Sequence, residues 1–257
     1  MTDTPVARYA DLDGRTVFVS GGASGIGADI VTAFHEQGAD VVFVDIDSRA
    51  GEALSGALAG RGAGPLFIPC DVTDTAALRG ALERAEARGA GIDVLVNNAA
   101  RDTRGDTMEV TEEGWTASLD VNLKHQFFAA QTVCGWMKGR GRGSIVNFGS
   151  VAPEITVENL AVYNTCKAAI RGLTRSLARD MGGHGIRANT VLPGAILTER
   201  QRALWYPDQA SIDAMVGRQC LPRELRGRDV AEMVLFLASD VSAACTAQDF
   251  IVDGGMI

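Results

Sequence analysis

Tyr163 and Lys167 are spaced so that both lie on one face of a helix predicted over residues 161–181. An ammonium group close to a phenol favours the phenolate and lowers the pKa of the tyrosine, which can then act as a general base. Ser150 lies 13 residues before Tyr163, where a loop could return its hydroxyl to the tyrosine. Together the three residues predict proton transfer at a substrate hydroxyl, although this Tyr–Lys spacing alone is more typical of a solvated helix face.

A glycine-rich turn follows the first predicted strand, residues 16–20, and precedes a predicted helix over residues 25–36. Gly21 allows a tight turn, while Gly25 and Gly27 leave room for a pyrophosphate and for close packing of the helix on the strand. The helix start presents N–H groups and a partial positive charge. The spacing G-x-x-x-G-x-G differs from the common G-x-G-x-x-G, but its place directly after the first strand predicts a dinucleotide site.

The end of the second predicted strand indicates which dinucleotide binds. Asp45 lies 18 residues after Gly27, where a carboxylate can accept hydrogen bonds from a ribose and repel a 2′-phosphate. Ile46 offers no cation to such a phosphate. NAD is therefore the predicted cofactor, and tolerance of NADP through the nearby Arg49 stays open.

The elements that position these residues alternate along the chain. Strands are predicted at 16–20, 41–45, 66–70, 92–97, 144–148, 186–192 and 250–252, and helices at 25–36, 48–59, 75–88, 112–138, 161–181 and 229–239. The strands are nearly continuous apolar runs, as in a parallel sheet that is buried on both faces. The alternation predicts an α/β fold with a doubly wound, Rossmann-type parallel sheet, in a single domain over residues 1–257.

Composition excludes several classes of protein. The chain has 257 residues, 46% of them hydrophobic and 22% charged, and a net charge of −8, which argues against a nucleic-acid binder and weakly against docking on anionic membranes. No apolar run of 18 residues and no signal-peptide core are found. Five cysteines without a C-x-x-C pair are typical of reduced thiols, so we expect a cytoplasmic protein. The three histidines share no metal-ligand spacing, are interpreted as structural or surface residues, and no metal is predicted.

Several motifs in a fixed order resemble the short-chain dehydrogenases/reductases over nearly the whole chain. They are the turn at 20–27, Asp71-Val72, Asn97-Asn98-Ala99-Ala100, Asn122, Ser150, Tyr163, Lys167, Pro193-Gly194 with Thr198, and Asp253-Gly254-Gly255. The sequence departs from the family pattern where Ala100 and Ala247 stand in place of frequent glycines. The resemblance also implies a homotetramer.

The resemblance implies a catalytic tetrad of Asn122, Ser150, Tyr163 and Lys167. Tyr163 would be the general base in alcohol oxidation, and Ser150 would bind the substrate hydroxyl. Lys167 would bind the nicotinamide ribose and lower the pKa of Tyr163, and Asn122 would help to hold a water of a proton relay. The implied cofactor-binding residues are Gly21, Ser24, Gly25, Ile26, Gly27, Asp45, Ile46, Asp71, Val72, Asn98, Tyr163, Lys167, Pro193, Gly194, Ile196 and Thr198.

Residues 199–226 correspond to the family's variable substrate lid, which we expect to be helical. Arg200, Gln201, Trp205 and Tyr206 would contact the substrate there, together with Ser150 and Tyr163. Polar donors next to aromatic rings suit a polyhydroxylated molecule. The segment is similar to that of NAD-dependent aldose 1-dehydrogenases of the D-xylose type, which oxidise the anomeric carbon to a lactone.

Two other functions remain open from the sequence. One is an NAD-dependent oxidoreductase of another secondary alcohol or ketone, of the 3-oxoacyl or steroid type. The other is an NAD-sensing regulator without catalysis, since a fold alone does not decide function. Such a sensor would not need Ser150, Tyr163 and Lys167 together.

Overall fold

Seven parallel strands form the central sheet of the computed structural model, which describes residues 7–60 and 64–257. The strands are β1 (Thr16–Ser20), β2 (Asp40–Asp45), β3 (Leu66–Pro69), β4 (Ile92–Asn97), β5 (Gly143–Phe148), β6 (Ile186–Pro193) and β7 (Asp249–Val252). The helices are α1 (Gly25–Glu36), α2 (Ser48–Ala59), α3 (Thr75–Glu86), α4 (Glu112–Leu119), α5 (His125–Arg140), α6 (Ala161–Met181), α7 (Glu199–Trp205), α8 (Gln209–Val216) and α9 (Gly227–Ala238).

The spatial order of the strands is β3-β2-β1-β4-β5-β6-β7, and every pairing is parallel. The chain therefore winds outward from β1 to β3, returns to the centre at β4, and then winds outward in the other direction. At this reversal Ser20 and Asn97 lie side by side at the carboxyl ends of β1 and β4. Open α/β sheets bind their ligands in the crevice at such a switch point.

Alternate residues of each central strand face two separate hydrophobic cores. In β1, Val17 and Val19 lie in the core that includes α1 and α9, whereas Phe18 lies in the core that includes α3 and α5. All three side chains are fully buried. This two-sided burial explains the continuous apolar strands and confirms the predicted doubly wound α/β sheet.

The helix predicted over residues 112–138 is the one element that the sequence interpretation joined wrongly. Helix α4 ends at Leu119, a π-helical turn follows at Asp120–Lys124, and α5 continues from His125. One wide turn hardly changes the spacing of apolar residues, so periodicity does not reveal it. Such turns are frequent at functional sites, and this one contains Asn122. The other predicted boundaries agree within two residues.

The region predicted as a lid contains two short helices, α7 and α8. Within the described residues, no helix is long and apolar enough to cross a membrane. Over the same part of the chain, no group of three or more His, Cys, Asp or Glu side chains could hold a metal ion.

Candidate active site

The turns after β1 and β4 are tied together by two side chains. The Ser20 hydroxyl accepts hydrogen bonds from the backbone N–H groups of Asn98 (3.1 Å) and Ala99 (3.2 Å). The Asn98 amide donates to the carbonyl oxygen of Gly21 at 2.8 Å. Gly21 has φ +66°, and a Cβ there would lie 2.7 Å from the Ala99 Cα. The predicted cofactor residues Gly21 and Asn98 therefore build one edge of the crevice.

The start of α1 forms the next part of the crevice. Ser24 is the N-cap residue, and its side chain makes no capping hydrogen bond. The first N–H groups of a helix have no partner within it, and they attract an anion. A Cβ on Gly25 would lie 3.1 Å from the Thr198 Cγ2, and a Cβ on Gly27 would overlap the Gly21 carbonyl oxygen. Gly25 and Thr198 therefore lie close together at the start of α1, and binding of a pyrophosphate by the backbone N–H groups of this turn stays a prediction.

Asp45 lies at the end of β2, beside the glycine-rich turn. Its carboxylate accepts hydrogen bonds from the backbone N–H groups of Ala23 (3.0 Å) and Asp47 (3.1 Å). Each carboxylate oxygen has a second lone pair, so a ribose hydroxyl can still be bound. Ile46 is 72% exposed, and Arg49 is also exposed. The placement is compatible with the predicted role of Asp45 at an adenosine ribose.

Two further strand ends complete the predicted cofactor crevice. After β3, Asp71 is exposed and accepts hydrogen bonds from Thr73, while Val72 is buried. After β6, the N–H of Gly194 donates to the Val252 carbonyl oxygen at 2.9 Å. Pro193 is the last residue of β6, and the predicted cofactor residues Ile196 and Thr198 come shortly after it.

The catalytic hydroxyls meet where the end of β5 approaches α6. Ser150 lies close enough to Tyr163 to lower its pKa, and the Ser150 hydroxyl accepts a hydrogen bond from the N–H of Ala152 at 3.0 Å. Lys167 is 2% exposed, and its Nζ donates to the Phe148 carbonyl oxygen at 2.8 Å. The Nζ lies 5.6 Å from the centre of the Tyr163 ring. The structure thus brings together Ser150, Tyr163 and Lys167.

Burial decides the charge states of these groups. Burial raises the pKa of Tyr163 to about 12, the charge of Asp102 raises it as well, and the hydrogen bond from Ser150 acts in the opposite direction. Burial lowers the pKa of Lys167 to about 8. The sequence predicted that Lys167 lowers the pKa of Tyr163. In the structure the pKa of Tyr163 is raised, because burial disfavours the phenolate.

Asn122 lies in the π-helical turn and is fully buried. Its side-chain oxygen accepts from the backbone N–H of Arg101 at 2.9 Å, and its amide donates to the Arg101 carbonyl oxygen at 3.1 Å and that of Ser118 at 3.0 Å. The side chain therefore fixes the start of the loop after β4. Its role at a relay water stays a prediction.

His125 is a buried neighbour of the catalytic lysine. Its Nε2 lies 2.9 Å from the Ala99 carbonyl oxygen, and its side chain is almost inaccessible. Burial and, to a smaller extent, the charge of Lys167 lower the pKa of His125 to about 3. The imidazole is therefore neutral, which agrees with the interpretation of this histidine as structural.

Three of the four predicted substrate residues of the lid converge on a carboxylate that the sequence interpretation did not name. Asp102 accepts hydrogen bonds from Arg200 (3.3 Å), Gln201 (3.2 Å) and the Trp205 indole N–H (3.0 Å). The fourth, Tyr206, is half-buried directly after α7. The sequence signal for Asp102 is its position a few residues after β4, at the edge of the sheet where ligands bind.

Comparison with known proteins agrees with this geometry. A family profile described as Enoyl-(Acyl carrier protein) reductase matches residues 21–257. The chain belongs to the short-chain dehydrogenase/reductase family, and it is an oxidoreductase whose fold binds a nicotinamide cofactor.

Similar members of this family include two sugar dehydrogenases. The chain is 49% identical to the "Probable galactose dehydrogenase GalD" of Rhizobium meliloti (strain 1021), over 98% of each chain. It is 40% identical to the D-xylose 1-dehydrogenase of Caulobacter vibrioides (strain NA1000 / CB15N), over 97% of this chain and 98% of the other. A blue fluorescent protein from a metagenomic library, crystallised in complex with NADPH, superposes with a TM-score of 0.86 at 34% identity, covering 96% of this chain and 99% of that one.

Proposed function

We propose that the protein is an NAD-dependent aldose 1-dehydrogenase, which oxidises the C1 hydroxyl of a cyclic pentose or related sugar to the aldonolactone. The observation that carries this proposal is the polar mouth of the site. Asp102 is hydrogen-bonded to Arg200, Gln201 and Trp205, and its charge acts on Tyr163, in a chain that is similar to two sugar dehydrogenases over nearly its full length. A steroid or acyl chain would require an apolar lining at this place.

The residues of the site divide the reaction between them. Ser150 binds the C1 hydroxyl and orients it, and the phenolate form of Tyr163 accepts its proton as the C1–H bond breaks and the C1=O bond forms. Bound nicotinamide supplies the acceptor for the hydride that leaves C1. Lys167 lies beside Tyr163, where its ammonium can bind ribose hydroxyls in addition to the Phe148 carbonyl oxygen. Asn122 holds the loop that carries Asp102 in place.

The preference for NAD is part of the proposal and rests on Asp45. A carboxylate at this position repels a 2′-phosphate, and the adjacent Ile46 offers no positive charge to it. NADP is the alternative, which Arg49 would favour, and a structural relative of this chain was crystallised with NADPH. The ratio of kcat/KM for the two cofactors decides between them.

The proposal also includes a substrate lid. Residues 199–226 would form this lid, with α7 and α8 as its helical parts.

The proposed assembly is a homotetramer. Trp115 on α4 is 42% exposed and Phe127 on α5 is 41% exposed, which supports a homotetramer with these helices in an interface. Light scattering of the purified protein should give four times the monomer mass.

The function is tested by NADH formation over a panel of pentoses, hexoses and deoxyhexoses, with steroid and fatty alcohols as matched controls. We expect D-xylose or D-galactose to be oxidised with the highest kcat/KM, and lactone to be the product. Turnover of a steroid or fatty alcohol above every sugar would replace the proposed substrate. Cofactor binding without any turnover would indicate a sensor instead of an enzyme.

A further inference from the structure

Asp102 lies in a loop that three other elements hold in place. The loop, residues 101–105, is called the β4 loop below. At its start, the backbone of Arg101 is bound by Asn122, and at its end the N–H of Gly105 donates to the Asn159 carbonyl oxygen at 3.0 Å. The Arg104 guanidinium stacks on the Trp205 ring at 3.7 Å from its centre. The position of the Asp102 carboxylate is therefore set before any substrate arrives.

The carboxylate still has capacity to accept another hydrogen bond. Its three donors come from one helix, α7, at 3.0–3.3 Å, and two of them share the Oδ2 atom. A carboxylate offers about four lone-pair positions, so one remains at Oδ1. The Asp102 side chain is 15% exposed, which leaves an opening for one small polar group.

The opening lies on the same side of the site as the reacting atoms. The charge of Asp102 acts on the hydroxyl of Tyr163 strongly enough to raise its pKa. The β4 loop is also connected to α6, the helix of Tyr163, since Asn122 binds both Arg101 and the Ser118 carbonyl oxygen, which accepts a hydrogen bond from the Cys166 thiol of α6 at 3.8 Å. A sugar whose C1 hydroxyl lies against Tyr163 and Ser150 therefore extends the rest of its ring towards Asp102.

We infer that Asp102 is a specificity-determining residue, whose carboxylate accepts a hydrogen bond from a ring hydroxyl of the sugar other than the C1 hydroxyl. The donor atoms of Arg200, Gln201 and Trp205 then orient this carboxylate and do not themselves select the substrate. The inference rests on the proposed function and deepens it. A fixed carboxylate rejects a sugar that lacks the matching hydroxyl, because its desolvated oxygen is left without a partner.

The test combines deletion of the carboxylate with deletion of single hydroxyls from the substrate. Wild type and Asp102→Ala are assayed with D-xylose, D-galactose and their 2-, 3- and 4-deoxy analogues. In the wild type we expect one deoxy sugar to lose about 10- to 100-fold in kcat/KM. In Asp102→Ala the same analogue should lose no more than the other analogues do. An equal loss in both proteins would show that Asp102 only holds α7, and would overturn the inference.

Two further variants keep the test decisive if Asp102→Ala is poorly folded. Trp205→Phe removes one donor to the carboxylate but keeps the carboxylate itself, so the penalty for the missing hydroxyl should persist. Asp102→Asn keeps the shape and removes the charge. Because the charge of Asp102 raises the pKa of Tyr163, the rise of kcat/KM with pH should move to lower pH in this variant. Loss of the penalty for the missing hydroxyl in Trp205→Phe, which keeps the carboxylate, would contradict the inference.

The same assays separate this inference from the proposed function. If the wild type oxidises no aldose, the proposed function fails. If the wild type oxidises an aldose and the hydroxyl penalty is the same with and without the Asp102 carboxylate, only the inference fails.

Discussion

The cofactor crevice and the substrate mouth of this protein are built in different ways. The crevice depends mainly on backbone and glycine at the ends of neighbouring strands, where Gly27 approaches the carbonyl oxygen of Gly21 so closely that no Cβ fits. The mouth consists of side chains that meet across long stretches of sequence, since Asp102 is bonded to Gln201 and Trp205 of α7. We expect the crevice to tolerate almost no substitution at its glycines, whereas a substitution in the mouth can remove a single hydrogen bond.

The largest effect is expected at the point where both regions meet the reacting atoms. Tyr163→Phe removes the proton acceptor but keeps the ring, so kcat for sugar oxidation should fall by about 10³-fold. Cofactor binding, measured by calorimetry, should stay close to that of the wild type, because the crevice at β1 and β4 is untouched. A variant that keeps most of its turnover would disprove the role of Tyr163.

The second-largest effect is expected on cofactor affinity, and it tests whether close backbone contacts shape the crevice. In Gly27→Ala the new methyl group overlaps the Gly21 carbonyl oxygen, so the turn must move away from the pyrophosphate. We expect the cofactor Kd to rise by about 10- to 100-fold, a loss of about 1.4–2.8 kcal/mol. Gly172→Ala in α6 is the matched control, since a Cβ there contacts nothing within 4 Å. Equal cofactor binding in the two variants would contradict a crevice built on close backbone contact.

A smaller effect is expected for the charge beside the ribose. Asp45→Asn keeps an oxygen that can accept the hydrogen bond from the Ala23 N–H and removes the negative charge. The ratio of kcat/KM for NADP to that for NAD should rise about tenfold, which corresponds to about 1.4 kcal/mol. The assay uses both cofactors at one sugar concentration. An unchanged ratio would mean that other groups set the cofactor preference.

The smallest effect is expected far from both regions, before β7. Ala247 stands where the family often has glycine, and its φ of +61° is unfavourable for a residue with a Cβ. Ala247→Gly should therefore stabilise the fold by about 0.5–1 kcal/mol, after the entropy cost of glycine in the unfolded chain is included. The apparent Tm in thermal unfolding should rise, with kcat unchanged. A lower Tm would show that the methyl group contributes packing that outweighs the strain.

The difference between the two regions also explains what the sequence could predict. The strands, the glycine-rich turn and the grouping of Ser150 with Tyr163 and Lys167 follow from local patterns, and the structure places them as expected. The π-helical turn at Asp120–Lys124 leaves no mark on apolar periodicity. The raised pKa of Tyr163 depends on burial, which spacing does not reveal.

The substrate mouth was predicted only in part, for a related reason. The sequence identified Arg200, Gln201 and Trp205 as polar and aromatic residues of the lid. It did not identify Asp102 as their shared partner, because the contact joins the β4 loop to a helix about a hundred residues later in the chain. Side-chain contacts of this range depend on the complete fold.

Hydride transfer from the sugar C1 is tested most directly by isotope labelling. The purified protein is incubated with NAD and with D-xylose or D-galactose that carries deuterium at C1, and the reduced cofactor is analysed by mass spectrometry. We predict that the deuterium is found in the reduced nicotinamide ring and that the sugar product is the unlabelled lactone. Reduced cofactor without deuterium, or a product that keeps the label at C1, would contradict oxidation at the anomeric carbon.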